Sequence, residues 1–264
     1  MTAPADPLDD FVRHRLTFDD ESKPVHVAGS GPAVIVMCEL PGITPTVARF
    51  ARWVREAGFT VWMPSLFGID GAEPTMELAG EAMRSVCVSR ELQAFAAGEP
   101  SPLARWLRAL ANHAHGECGG PGVGAIGMCF TGNFALTMAL EASVLAPVMS
   151  QPSLPLDDPE GTFLDQEELA AVRRRLDADD LTVLAYRFEG DPYCQAARFA
   201  AFEQALGDRF VPRVLPDSAA GSTGWLGVPH SVVTTSLVDA EGEPTAAARD
   251  EVLEFFAQRL ASTA

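Results

Sequence analysis

Gly127-Met128-Cys129-Phe130-Thr131-Gly132 places a thiol where an apolar stretch, Val123 to Met128, meets a helix-like one from Phe130 to Glu141. A tight strand-to-helix turn lifts a nucleophile above the strand end, and the next backbone N–H points into the same space. The start of the helix also favours a thiolate. Asp191 follows the apolar run Leu181 to Phe188, and His230 follows the next run, Phe210 to Leu215, after a Gly- and Pro-rich loop. A histidine can take the proton of the thiol and later give one to a leaving group. An aspartate can hold that histidine in one tautomer and stabilise its cation. Nucleophile, acid and base in this order suit acyl transfer through a covalent intermediate. The compact G-x-S-x-G rule would put glycine at 131; this chain has Thr131, and its next glycine is Gly132.

Such residues work together only if a scaffold brings their loops to one edge. Ala33 to Cys38 is an apolar run without alternation, and Phe59 to Met63, Val123 to Met128, Val144 to Met149 and Leu181 to Phe188 are further, mostly apolar strand candidates. That pattern marks strands buried on both faces of a parallel sheet. Helical faces lie between them: Val47, Phe50, Ala51 and Val54; Leu103, Trp106, Leu107, Leu110 and Ala111; Val252, Leu253, Phe256 and Leu260. Thr44 or Thr46 can cap the first of these helices. A further helix is expected from Met83 to Ala97, and a break at the glycines between Gly116 and Gly122. Residues 11–28 read as one or two outer strands, with Pro24 favouring an edge. The alternation predicts an α/β fold, a doubly wound, mostly parallel sheet with helices on both faces. In such a sheet the loops after the strands open on one edge. A single domain spanning 1–264 is expected, with 1–10 as a flexible lead-in and 152–178 as a candidate surface insertion carrying Asp157, Asp158, Glu160, Asp165, Glu167 and Glu168.

The 264 residues carry 36 Asp and Glu against 19 Lys and Arg, a net charge of -17, which argues against nucleic-acid or anionic-membrane partners. With 47% hydrophobic residues the chain is not an acidic disordered segment. No apolar run reaches membrane-spanning length, no signal peptide is visible, and five scattered Cys fit reduced thiols in the cytoplasm. His113-x-His115-x-x-Cys118 lacks the rest of a four-ligand set, so neither metal nor cofactor is expected.

Gly127-Met128-Cys129-Phe130-Thr131-Gly132, Gly190-Asp191 and Pro229-His230-Ser231, together with Glu39 after the first buried strand, resemble the dienelactone hydrolase family of α/β-hydrolases over about residues 25–260. The resemblance implies cysteine-dependent cleavage of a small lactone or ester, with Cys129, Asp191 and His230 as the triad. It implies an oxyanion hole from the Leu40 and Phe130 amides, and a Glu39 that helps substrate binding deprotonate the thiol. Family enzymes acting on dienelactone carry an arginine four positions beyond the histidine; this chain has Thr234 there. A second arginine precedes the nucleophile strand in those enzymes, and Arg84 and Arg90 are the candidates here for binding a substrate carboxylate. A non-catalytic binding protein of the same fold, and a hydrolase of another acyl bond such as a thioester, are the alternative readings. Nothing in the sequence chooses between monomer and homodimer.

Overall fold

Apolar residues at nearly every position commit the central strands to burial on both sides, with Thr60, Ser150 and Arg187 as buried polar exceptions. In the computed structural model, which describes residues 6–88 and 101–261, β3 (Ala33–Met37), β4 (Thr60–Pro64), β5 (Val123–Met128) and β7 (Val183–Phe188) are buried throughout. With β6 (Val144–Ser150) they form the middle of an eight-stranded sheet. The sheet is completed by β1 (Val12–Phe18) and β2 (Glu21–Gly29) at one end and β8 (Phe210–Leu215) at the other. The order is β1-β2-β4-β3-β5-β6-β7-β8. β1 and β2 pair antiparallel, β2 pairs antiparallel with β4, and every pairing from β4 to β8 is parallel.

β2 is one strand in from the edge, a correction to the edge placement expected from Pro24. The Pro24 carbonyl accepts from the Ser65 amide, so its donor-less nitrogen faces that same side, just past the last residues paired with β4. The β1 ladder asks nothing of it.

Seven α-helices are described. α1 (Pro45–Glu56) buries Val47, Phe50, Ala51 and Val54 and is capped by Thr44, whose hydroxyl accepts from the Val47 amide. α2 (Met76–Val88) begins seven residues before the expected Met83, because Thr75 caps it through the Leu78 amide at 3.1 Å. The rest of the expected span, to Ala97, lies largely outside the described residues. α3 (Pro102–Cys118) runs through Gly116 and ends only at Gly119, with φ 67°. α4 (Gly132–Met138), α5 (Gln166–Ala178), α6 (Ala196–Leu206) and α7 (Pro244–Leu260) follow. Residues 6–10, expected to be loose, are tied down: Leu8 is buried, and Asp6 and Asp10 both pair with Arg52. Arg52 holds the Asp6 carboxyl below its usual range.

The chain leaves β3 toward β4 on one side and later returns to β5 on the other. The C-terminal ends of β3 and β5 therefore flank the point where winding reverses, where an open α/β sheet leaves a crevice.

Candidate active site

Cys129 stands at that crevice, on a single 3-10 turn (Cys129–Thr131) between β5 and α4. Its φ is +53°, a left-handed conformation that a non-glycine residue adopts only when its surroundings hold it there. Gly127 makes the turn possible, since a β-carbon at 127 would collide with the Thr131 carbonyl. At 131, where the compact motif has glycine, the threonine hydroxyl is used instead. It accepts from the Met128 amide at 2.9 Å and lies 3.2, 3.0 and 3.0 Å from the carbonyl oxygens of Met37, Cys38 and Met128. One buried hydroxyl thus ties the end of β3 to the elbow after β5.

The structure brings Asp191 and His230 together beside this turn. His230 Nδ1 lies 2.7 Å from Asp191 Oδ2, and both side chains are almost fully buried. The other carboxylate oxygen, Oδ1, accepts from the amides of Tyr193 and Cys194 at 2.9 and 3.2 Å. Asp191 is thereby fixed as an acceptor, and Nδ1–H of His230 is the donor to it. Burial disfavours the imidazolium, but Cys129 and then Asp191 outweigh it and hold His230 well above the ordinary histidine range. Apart from its thiol neighbour, Nε2 has no hydrogen-bond partner among the described residues. The Tyr193 ring stands edge-on to His230, with centroids 5.4 Å apart.

Glu39 is buried at the end of β3 within a cage of uncharged donors. Thr234 Oγ1 donates to Oε1 at 2.5 Å; Ser231 Oγ and Gln151 Nε2 donate to Oε2 at 2.7 and 3.1 Å. Burial raises its pKa above the usual 4.5, against the pull of these hydrogen bonds and of His230. Gln151 itself has φ 37° and hydrogen-bonds Ser150.

A cavity of about 300 Å³ opens over Cys129, His230 and Glu39. Leu40 borders it, whereas the Phe130 ring packs against Phe67 with centroids 6.1 Å apart. Met76, Ala79, Gly80 and Met83 of α2 form one wall, and Trp225 and Leu226, on a 3-10 turn in the loop after β8, form another. Ser153 and Leu156, at the start of the acidic segment, form a third. Asp157, Asp158, Glu160, Asp165 and Glu167 are exposed. Arg84 is exposed on α2 with Nη1 against Gly80, outside the set of lining residues; Arg90 lies outside the described residues.

Sequence reasoning did not find Arg198. It is 1% exposed and donates to five main-chain carbonyls, those of Gly161, Pro152, Tyr193, Pro155 and Asp158, at 2.5 to 3.1 Å. Asn133 adds contacts to Leu154 and Thr162. The wall that carries Ser153 and Leu156 is held from behind by these two side chains. A signal was present: Arg198 sits in the buried row of α6 with Phe202 and Leu206, at helical spacing.

His113, His115 and Cys118 do not converge. The His113 ring packs on Phe18 and Trp62, His115 Nε2 pairs with the Gly120 carbonyl, and Cys118 accepts from Trp62 Nε1. Among the described residues, no group of three or more His, Cys, Asp or Glu clusters to hold a metal, and no helix is long and apolar enough to cross a membrane.

A mixed, mostly parallel eight-stranded sheet with helices, bearing a strained cysteine elbow at its switch point, defines an α/β-hydrolase fold. The family model for the dienelactone hydrolase family matches residues 22–214, and the chain belongs to that family. It is a dienelactone hydrolase-like hydrolase. Among solved structures it is similar to a dienelactone hydrolase-like promiscuous phosphotriesterase from metagenomic libraries, with TM-score 0.66 and 17% identity over 95% of this chain and 98% of that one. A dienelactone hydrolase from Anabaena variabilis matches with TM-score 0.61 and 14% identity, over 96% of this chain and 100% of that one. A cold-adapted esterase from an Arctic intertidal metagenomic library matches with TM-score 0.59 and 13% identity, over 94% and 93%. No curated protein matches the sequence.

Proposed function

We propose that this protein hydrolyses a small carboxylic ester or lactone through Cys129, with His230 as proton carrier and Asp191 as its orienting partner. The observation that carries the reading is the left-handed Cys129 beside a buried His230 whose Nδ1 is committed to Asp191. The same neighbours raise the histidine toward its charged form, which suits it to give up a proton at Nε2. The thiolate sulfur bonds to the carbonyl carbon, and the resulting oxyanion accepts from the Leu40 and Phe130 amides. Each such donor is commonly worth about 3 kcal/mol. As the C–O bond breaks, His230 gives its Nε2 proton to the leaving oxygen, leaving a thioester on Cys129. Neutral His230 then takes a proton from water, whose oxygen attacks the thioester. The acid is released, the sulfur leaves as thiolate, and the imidazolium is restored. In a lactone the leaving oxygen remains on the acyl chain.

The test is hydrolysis of p-nitrophenyl esters and small lactones by wild-type and Cys129→Ala protein, with mass spectrometry of rapidly quenched wild type. A loss of at least about 10³-fold, and an acyl adduct on the peptide bearing Cys129, are expected. Equal rates in the two proteins would refute the thiol mechanism.

A further inference from the structure

Building on the cysteine-hydrolase reading, we propose that the substrate is an uncharged ester with apolar groups on either side of the scissile bond. The large apolar side chains lining the cavity are Leu40, Met76, Met83, Leu156, Trp225 and Leu226, beside the hydroxyls of Ser153, Tyr193 and Ser231. At about 300 Å³ the space is at the small end for ligand pockets. Besides the reacting Cys129 and the Tyr193 phenol, the titratable groups among its described lining residues are Glu39 and His230. His230 is already engaged by Asp191 and the thiol. Glu39 is satisfied by Thr234, Ser231 and Gln151, none of which brings a positive charge.

A substrate carboxylate in this cavity would face Glu39 with no lining arginine or lysine among the described residues to balance it. Arg84, on the same helix as the Met76–Met83 wall, is exposed to water, where its attraction is heavily screened. The chain's net charge of -17 adds a repulsive approach for anions. An apolar acyl or alkoxy group, by contrast, gains from burial against the methionines, leucines and Trp225.

The experiment compares p-nitrophenyl butyrate with the mono-p-nitrophenyl ester of succinic acid, two chains of equal carbon number, one ending in a carboxylate. For wild type the butyrate kcat/KM is expected to exceed the succinate value at least about tenfold, a floor well below the roughly 10³-fold of one uncompensated charge contact at about 4 Å and an effective dielectric of about 20. A ratio below tenfold overturns the proposal. Binding is measured in parallel by calorimetry, using Cys129→Ala protein with the unreactive amides butyranilide and succinanilic acid. If wild type cleaves neither ester but the variant binds butyranilide at least tenfold more tightly, the substrate class stands and the hydrolase reading falls. Equal binding of the two amides, or binding of neither, overturns the substrate class itself. Met83→Arg, at a half-buried wall position, is expected to narrow the butyrate-to-succinate ratio at least fivefold. An unchanged ratio in that variant would show that charge is not what the cavity selects.

Discussion

Replacing Thr131 by valine keeps the shape of the side chain and removes one oxygen. That oxygen accepts the Met128 N–H at 2.9 Å and lies within 3.2 Å of three carbonyl oxygens, two of them on the segment leading from β3 to Leu40. Thr131 is fully buried, so water cannot replace it. A buried polar group left without a partner costs about 1–3 kcal/mol. Here one donor is certain to be orphaned and one acceptor loses its hydroxyl, so Thr131→Val should destabilise the protein by about 3 kcal/mol. For a chain of this size that corresponds to a fall in Tm of about 5 °C. The elbow and the Leu40 segment would also lose their shared tie, so kcat should fall at least about tenfold, with KM changed less than about twofold. Thr131→Ser retains the oxygen and should stay within about 1 kcal/mol and threefold in kcat. Urea denaturation and p-nitrophenyl butyrate kinetics on the three proteins decide the matter. A valine variant as stable and as active as the serine variant would refute the reasoning.

Two other outcomes follow from the same geometry. Asp191→Asn should preserve the fold but offer His230 Nδ1 an amide in place of a carboxylate, lowering kcat about 10²–10⁴-fold, as steady-state kinetics would read directly. Glu39→Gln should alter the pH dependence of stability. Burial raises the native pKa of Glu39 above 4.5, so the folded state holds its proton more tightly than the unfolded state. Wild type should therefore lose stability relative to the glutamine variant as pH rises from about 4.5 through the native pKa, with no further change above it. A difference that stays flat from pH 4 to 8 in urea titrations would show that Glu39 is not strained by ionisation.

The central sheet was legible because burial on both faces leaves an unbroken apolar run, as in Ala33–Met37 and Val123–Met128. Element ends were less so. Thr75 starts α2 early through a side-chain cap, and Gly116 is carried inside α3 because tertiary packing outweighs its weak helix preference. Cys129, Asp191 and His230 were legible because chain order and strand ends bring them to one edge, whereas Glu39 stood out only through the family resemblance. The cage around Glu39 was not, since Gln151 comes from the loop after β6 while Ser231 and Thr234 come from the turn just beyond His230, and a lone hydroxyl or amide has no periodicity. The cavity walls were equally hidden: Met76, Leu156 and Trp225 meet only through the packing of distant segments. The lead-in misled because Pro4, Pro7 and the neighbouring acids resemble a solvated tail, whereas Asp6 and Asp10 are counter-ions for Arg52.

Arg198 recognises carbonyl oxygens, which every residue carries whatever its side chain. Its grip on residues 152–161 is therefore blind to the identity of the residues it grips. Leu156, exposed at the cavity rim, can be exchanged for others while the path of the wall stays the same, whereas Ser153 is buried and donates to the Gln151 and Cys129 carbonyls. The protein thus keeps apart the part of its pocket that must hold still and the part that is free to drift. New substrate preferences can be explored on the cavity face without first rebuilding the support behind it.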